Sequence, residues 1–531
     1  MKLTRRQALR LIGSVAPAAA LSPGFMQTGF SQTATGSIPQ GVQMTPGRFT
    51  GTRASLKAYS LPNWFADAKF GIWSHWGPQS AVGDGDWYAR NMYMEGSKQY
   101  EYHVKRFGHP SKFGYKDTIP LFTADKWDPD HLMDLYAKAG AKYFFSMGVH
   151  HDNYDLWNSK YQPRWNSVSS GPRKDVVGLW AAAARRRGLR FGVSEHLSNS
   201  YDWLATSHLS DTKGPLAGVS YDGTNPANAD LYHDYTGQPA DFAKSAKAMG
   251  RDAPDRWKLQ FFNRIKDLID QHQPDLLYTD GGIPFAEYGL STLAELYNAG
   301  PADHRGDPEA IYFSKVAADS EQGTCALDRE RGVSETIWPR PWQTDTCIGQ
   351  WHYNLGQTYK TPKKVIDLLV DIVSKNGNLL LSFPLPASGE LDADEMVTLN
   401  GITAWMQVNG EGIFSTRPWT INGEGPAMSV KVEQKGFNES KQPDLGPQDI
   451  RFTSKGRTIF AFVQGWPQGS AMVKSLGTSS AQQPGKVLRV QMLGRDESLK
   501  FAQEASGLRV TMPADKPATA DIGITLKMNL A

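Results

Sequence analysis

At 531 residues the chain is too long for one small core and predicts two or three units. It is 40% hydrophobic and 21% charged, with 16 Trp, 20 Tyr and 23 Phe, and its formal net charge of +3 comes from basic residues dispersed along the sequence. No stripe of Lys and Arg is present to neutralise phosphates, so nucleic acid is excluded as an expected partner; Cys325 and Cys347 alone make neither a disulfide framework nor a cysteine metal site.

Taken in chain order, Thr4, Arg5 and Arg6 precede an apolar run from Leu11 to Leu21 and the small residues Ala18 to Ala20. A basic start followed by an apolar stretch shorter than the ~20 residues that span a bilayer predicts a twin-arginine export signal over 1–32. A polar linker over 33–50 should follow, with no membrane segment left after cleavage and a periplasmic or secreted destination.

The middle of the chain repeats an amphipathic helix closed by Gly or Pro and followed by a short apolar strand. In the first copy Asp128 and Pro129 start a helix, Gly140 ends it and the strand 143–147 follows. The others pair helix 174–187 with strand 189–194, a helix bearing Trp257, Phe261, Ile265 and Leu268 with strand 276–279, and helix 363–375 with strand 378–383. Helices alternating with buried strands over this length predict an α/β fold, a distorted (β/α)₈ barrel over 51–415, and no strand leads into a dinucleotide-binding glycine triplet. Beyond Thr416 the helical period stops. Short runs at 450–453, 458–463, 487–493, 508–512 and 522–528, with a turn at Lys455 and Gly456, predict an antiparallel β-sandwich over 416–531.

A barrel of this kind carries its chemistry at the C-terminal ends of its strands. There the sequence places His75 (KFGIWSHWG), His150 and His151 (SMGVHHDNYDLWNSKY), Glu195 and His196 (FGVSEHL), and Asp280 (DLLYTDGG). A neutral imidazole offers one donor and one acceptor, which suits sugar hydroxyls. Adjacent histidines on an extended segment face opposite ways and cannot easily share an ion, so no metal is expected. From position alone, Asp280 before Gly281 and Gly282 serves equally as a nucleophile or as a turn residue.

These blocks, with NGNLLLSFPLPASGEL, resemble glycoside hydrolase family 29, the α-L-fucosidases, in order from Trp64 to Ser415. The resemblance implies removal of terminal α-L-fucose from fucosylated oligosaccharides or polysaccharides with retention of configuration and without an organic cofactor. It makes Asp280 the nucleophile, with Tyr278 where Trp is usual, and makes His75, His150, His151 and Trp87 contacts to fucose. Asp86 stands where Glu is common, and Glu195 and His196 where aromatics are common, all three being further substrate-binding candidates. The acid/base falls on a loop without a fixed motif: Glu330 in RERG is the first candidate and Glu335 the second. Trp342 is a candidate for the pocket of the fucose methyl group. Two other readings are an α-L-galactosidase on the same fold and a silent glycan-binding protein.

Overall fold

The computed structural model describes residues 36–235, 253–434, 436–482 and 484–531. The expected signal at 1–32, and part of the Ser- and Gly-rich stretch 199–250, lie outside them. No helix among the described residues is long and apolar enough to cross a membrane.

Eight parallel strands build the first unit: β1 (Phe70–Ser74), β2 (Tyr143–Val149), β3 (Arg190–Glu195), β4 (Leu276–Thr279), β5 (Ile311–Ser314), β6 (Ala326–Leu327), β7 (Trp342–Cys347) and β8 (Gly377–Ser382). They lie in the order β6-β5-β4-β3-β2-β1-β8-β7. The barrel closes where Asp328 bridges Gln343 in parallel and the Arg329 and Arg331 amides donate to the Gln343 and Asp345 carbonyls at 2.9 and 2.8 Å. Nearly every strand residue is buried, as a sheet packed on both faces requires.

The predicted copies of the repeat are present with their ends moved by one to two residues, and the caps explain where they start. Helix Pro129–Lys138 begins with the Asp128 carboxylate accepting from the His131 amide at 3.0 Å and Pro129 in its first turn. It buries Leu132, Met133 and Tyr136, whose ring stacks on Phe144 of β2 at 5.8 Å. Each such side chain contributes about 1.5–3 kcal/mol. Gly140 then takes φ +97°, so a side chain here would be strained. Asp175 and Thr361 cap helices Val176–Arg186 and Pro362–Ser374 in the same way, which moves each start off the expected residue.

One crossover departs from the repeat. Between β6 and β7 there is no helix; residues 328–341 form a loop that lies along β7. The expected linker also differs, because Thr45 donates its amide and hydroxyl to Glu295 at 2.6 and 2.7 Å and Phe49 donates its amide to Asn298 at 3.0 Å. From residue 45 onward that stretch is docked against helix Glu287–Ala299.

Beyond Thr416 the chain forms a five-stranded antiparallel sheet, β13-β16-β11-β10-β9, and a three-stranded one, β12-β15-β14. Their ranges are β9 (Arg417–Glu424), β10 (Ile450–Lys455), β11 (Thr458–Val463), β12 (Ser470–Val473), β13 (Val487–Met492), β14 (Phe501–Glu504), β15 (Gly507–Thr511) and β16 (Ile524–Leu530). The sequence reading missed β9, β12 and β14, whose residues are partly exposed and lack a continuous apolar run. This unit is joined to the barrel. Phe460 and Phe462 enter the barrel's hydrophobic core, Trp405 donates to the Gly523 carbonyl at 2.8 Å, and Arg451 pairs with the buried Asp371 at 2.6 Å. Both cysteines are buried free thiols.

Candidate active site

Because the strands are parallel, their C-terminal ends bring residues far apart in sequence to one rim. Asp280 follows β4 directly, and Gly281 after it has φ +130°. One carboxylate oxygen, Oδ2, lies 3.2 Å from His151 Nε2 and 3.4 Å from His196 Nδ1; the other, Oδ1, is in contact with Lys315 Nζ. Burial works to raise this carboxyl, but the Lys315 ammonium and the two imidazoles outweigh it and hold it well below the ordinary carboxylate range.

Lys315, the residue after β5, also touches Glu330 Oε2, so one ammonium joins the two carboxylates. The other Glu330 oxygen accepts from Trp351 Nε1 at 3.2 Å. Burial pushes Glu330 up to about 7 against the opposing pull of Lys315, and the charges of Asp345 and Asp280 act in the same direction as burial. Two carboxyl groups thus share one cation and differ in protonation near neutral pH. Behind them Tyr278 donates its hydroxyl to Asp345 at 3.2 Å, and burial with the Asp345 charge drives the Asp328 carboxyl well above its usual range.

The recess in which the partly exposed Asp280 carboxylate stands is walled by imidazole and indole. His75, at the end of β1, packs against His352 at 4.5 Å, His150 at 5.1 Å and Trp351 at 5.3 Å between ring centroids. His150 Nδ1 is paired with Gln79 Nε2 at 2.7 Å, and His352 Nδ1 with Asp86 Oδ1 at 2.7 Å. His75 Nδ1 and His352 Nε2 are buried and have no protein partner among the described residues. Burial and the neighbouring imidazoles keep His75 and His150 well below the usual histidine range, and burial pushes His196 down to about 4 against the pull of Asp280. Neutral rings facing a recess donate and accept one hydrogen bond each, which matches hydroxyl groups. Trp87, in a left-handed conformation at φ 63°, meets His151 edge-on at 6.3 Å and Trp203 at 6.0 Å.

Loop pairing holds this wall. Asp84 bridges Asn354, the Gly85 amide donates to Tyr353 at 3.2 Å and the Leu355 amide to Gly83 at 3.0 Å. Gly85 has φ +79°, and a Cβ there would lie 2.2 Å from Gln350 Oε1. The zipped loops bring Asp86 to His352 although 266 residues separate them.

Several sequence expectations change here. Trp342 is not at the rim: it is the first residue of β7, opposite Gly377 at the start of β8, and its indole donates to the Lys375 carbonyl at 3.0 Å. The indole at the site is Trp351, nine residues on. Glu195 faces inward, accepting from the Leu197 amide at 3.0 Å and from the Thr279 hydroxyl, so it supports β4 beneath Asp280 and does not line the recess. Glu335 is exposed, whereas Glu330 is tied to Lys315 and Trp351. Lys315, Asp345, Trp351 and His352 were missed, although IYFS-K and WQTDTC…QWH show the same pattern of strand followed by functional residue that revealed Asp280. Finally, the His150 and His151 rings lie together, with centroids 4.5 Å apart. β2 ends at Val149 and the chain turns, with the Asn153 amide donating to His150, so the alternation of an extended strand no longer applies.

Two sets of imidazoles have nitrogens within 4.8 Å of one another, His75/His150/His352 and His150/His151/His196. In the second set His151 is already engaged, with the His196 carbonyl at 2.7 Å and with Asp280. Of these rings His352 is paired with Asp86, His150 with Gln79, and His151 and His196 lie against Asp280.

Comparison with known proteins agrees with this geometry. Residues 37–411 match the family model described as alpha-L-fucosidase, and 442–529 match that of the alpha-L-fucosidase C-terminal domain. Tissue alpha-L-fucosidase of Bos taurus is 28% identical over 493 residues, covering 89% of both chains, and that of Homo sapiens is 27% identical over 503 residues, covering 91% of this chain and 92% of its own. The crystal structure of Thermotoga maritima alpha-fucosidase in complex with fucose superposes with a TM-score of 0.64 at 28% identity, over 91% of this chain and all of that one.

Proposed function

Since the chain belongs to the alpha-L-fucosidase family, we propose that it removes terminal α-L-fucose from glycans by double displacement, with retention of configuration. The observation that carries this is the single Lys315 ammonium in contact with both Asp280 and Glu330. Two oxygens held by one N–H donor group lie within about 6 Å of each other. A retaining pair needs about 5–5.5 Å, whereas an inverting pair leaves room for a water at about 6.5–9.5 Å.

Asp280, ionised, attacks the anomeric carbon, and the bond to the glycosidic oxygen breaks. Glu330 gives its proton to that oxygen, the aglycone leaves, and fucose is held as an ester of Asp280. Glu330, now a carboxylate, takes a proton from water as the water attacks the same carbon; the ester opens and Glu330 is protonated again. Lys315 keeps Asp280 anionic in the free enzyme. His75, His150 and His352 fix the sugar hydroxyls, and Trp351 with Trp73, 5.3 Å apart, offers the apolar surface a methyl group needs.

Release of 4-nitrophenol from its α-L-fucoside tests the reading. Wild type should turn over, Asp280→Ala should lose several orders of magnitude, and azide should restore release while forming β-fucosyl azide. An α-configured azide, or undiminished Asp280→Ala activity, would exclude the assignment. We further infer export through Arg5 and Arg6; amino-terminal sequencing of the mature protein tests this, and a chain still beginning at Met1 in the cytoplasm refutes it.

A further inference from the structure

The loop that carries Glu330 has no helix of its own and hydrogen-bonds to β7 on one side. Its other side is held from the second unit. Between β9 and β10 the chain runs for 25 residues back toward the barrel, and Asn438 and Glu439 meet the loop there. Asn438 Oδ1 accepts from the Val333 amide at 2.7 Å, and its Nδ2 donates to the Val333 carbonyl at 3.1 Å. The Glu439 amide donates to the carbonyl of Arg331, the residue after Glu330, at 2.9 Å. The Glu439 carboxylate accepts from Thr346 of β7 at 2.5 Å and pairs with Lys360 at 2.8 Å. Asn438 is 2% exposed and Glu439 7%, so these bonds are shielded from water.

Arg331 links this clamp to the recess. It takes φ +45°, a conformation a side chain adopts at a cost, and its guanidinium lies over the Trp351 ring at 5.0 Å. Trp351 in turn donates to Glu330. The strained backbone needs its bonds to Asp345 on one side and Glu439 on the other to persist, and a displacement of about 1 Å at the acid can cost on the order of 10²-fold in rate.

We propose that Asn438 and Glu439 are positioning residues for the general acid, so that the connection between β9 and β10 is part of the catalytic apparatus. This rests on the assignment of Glu330 as acid/base. Asn438 and Glu439 touch neither carboxylate nor sugar; they act through Arg331 and Val333. Loss of the clamp therefore harms the proton-transfer step and spares the nucleophile, which stands on β4.

The test uses the full chain and two substrates. An alkyl α-L-fucoside needs its leaving oxygen protonated, whereas α-L-fucosyl fluoride departs with little help from an acid. Asn438→Ala and Glu439→Ala are compared with wild type after circular dichroism confirms folding at the assay temperature. We expect kcat/KM for the alkyl fucoside to fall about 10- to 100-fold, part of the ~10²–10⁴ that general acid catalysis supplies, with less than a roughly threefold change for the fluoride. Glu439→Gln, which keeps the Thr346 bond, should recover part of the loss. Equal losses on both substrates, or none on either, would overturn the proposal. If wild type turned over neither substrate, the fucosidase reading itself would fail, which is a separate result.

Discussion

Replacing Lys315 by Met tests the electrostatics of the site most directly. Methionine is similar in length and leaves Asp280 and Glu330 facing each other without the cation. A unit charge about 4 Å from a carboxylate is worth about 4 kcal/mol at an effective dielectric of 20. The three side chains are 15%, 24% and 20% exposed, so solvent trims this value for each carboxylate. The productive form has Asp280 ionised and Glu330 protonated. Since Lys315 lowers both groups, its loss raises both, and the whole pH profile moves toward alkali. The alkaline limb, set in wild type by Glu330 at about 7, moves up, and the acid limb of Asp280 rises toward the ordinary carboxylate range. The measurement is kcat/KM for the aryl fucoside between about pH 4 and pH 10, repeated with fucosyl fluoride, whose weak need for acid isolates the Asp280 limb. Limbs that stay in place while only the height of the profile falls would refute the argument and leave Lys315 a purely steric role.

Three further outcomes follow from the geometry. Asp86→Asn removes the charge that orients His352, so KM should rise about 10-fold, the equivalent of a charged hydrogen bond, with kcat changed less; steady-state kinetics decide, and a selective loss of kcat would refute it. Trp342→Phe should lower thermal stability and leave kcat/KM per folded molecule near wild type, whereas Trp351→Ala should depress kcat/KM. Glu195, fully buried, is pushed up to about 7 from 4.5 by burial, so the native state holds its proton more tightly than the unfolded chain. Its contribution to stability is complete below about pH 4.5 and is lost as pH rises through 7, on the order of 2–3 kcal/mol. Glu195→Gln should flatten the denaturation profile in that window, and an unchanged slope would show that Glu195 ionises freely.

The parts legible in the sequence were those with a local physical signal. Asp128 sits where a helix must be capped, and β2, β3, β4 and β8 are apolar runs ending in polar residues, so the barrel and the position of Asp280 could be read directly, whereas the caps Asp175 and Thr361 went unread. The two-residue β6 carries no such run, and β9 and β14 alternate too weakly to be seen. At the site, the same reading of strand ends put His75, His150, His151 and His196 on one rim, and the structure has the four rings next to one another there. Trp342 came with the resemblance and not from a strand end, and as the first residue of β7 it stands at the end of the strand away from the rim. His352 meets Asp86 only through the zipped loops 83–86 and 350–355, and no spacing in a single chain encodes such a meeting.

The missing helix between β6 and β7 has a consequence for redesign. Asp280 and Lys315 directly follow β4 and β5, whose register is fixed by neighbours on both sides, so moving either means moving the barrel. Beyond Val333 the loop descends to Trp342 at the other end of the barrel, where Trp338 is tied to Lys375 and Asn376 at 3.1 Å each and Arg340 to the Ser320 carbonyl at 2.7 Å, while Glu335, Thr336, Pro339 and Arg340 are exposed. Side chains exchanged there stand at the end of the barrel away from Asp280, Lys315 and the imidazole wall, which keep their coordinates. Libraries aimed at new linkages therefore belong on the part of the loop around Glu330 and on the zipped loops of the rim, and the lower stretch is left for changes that must not touch the site.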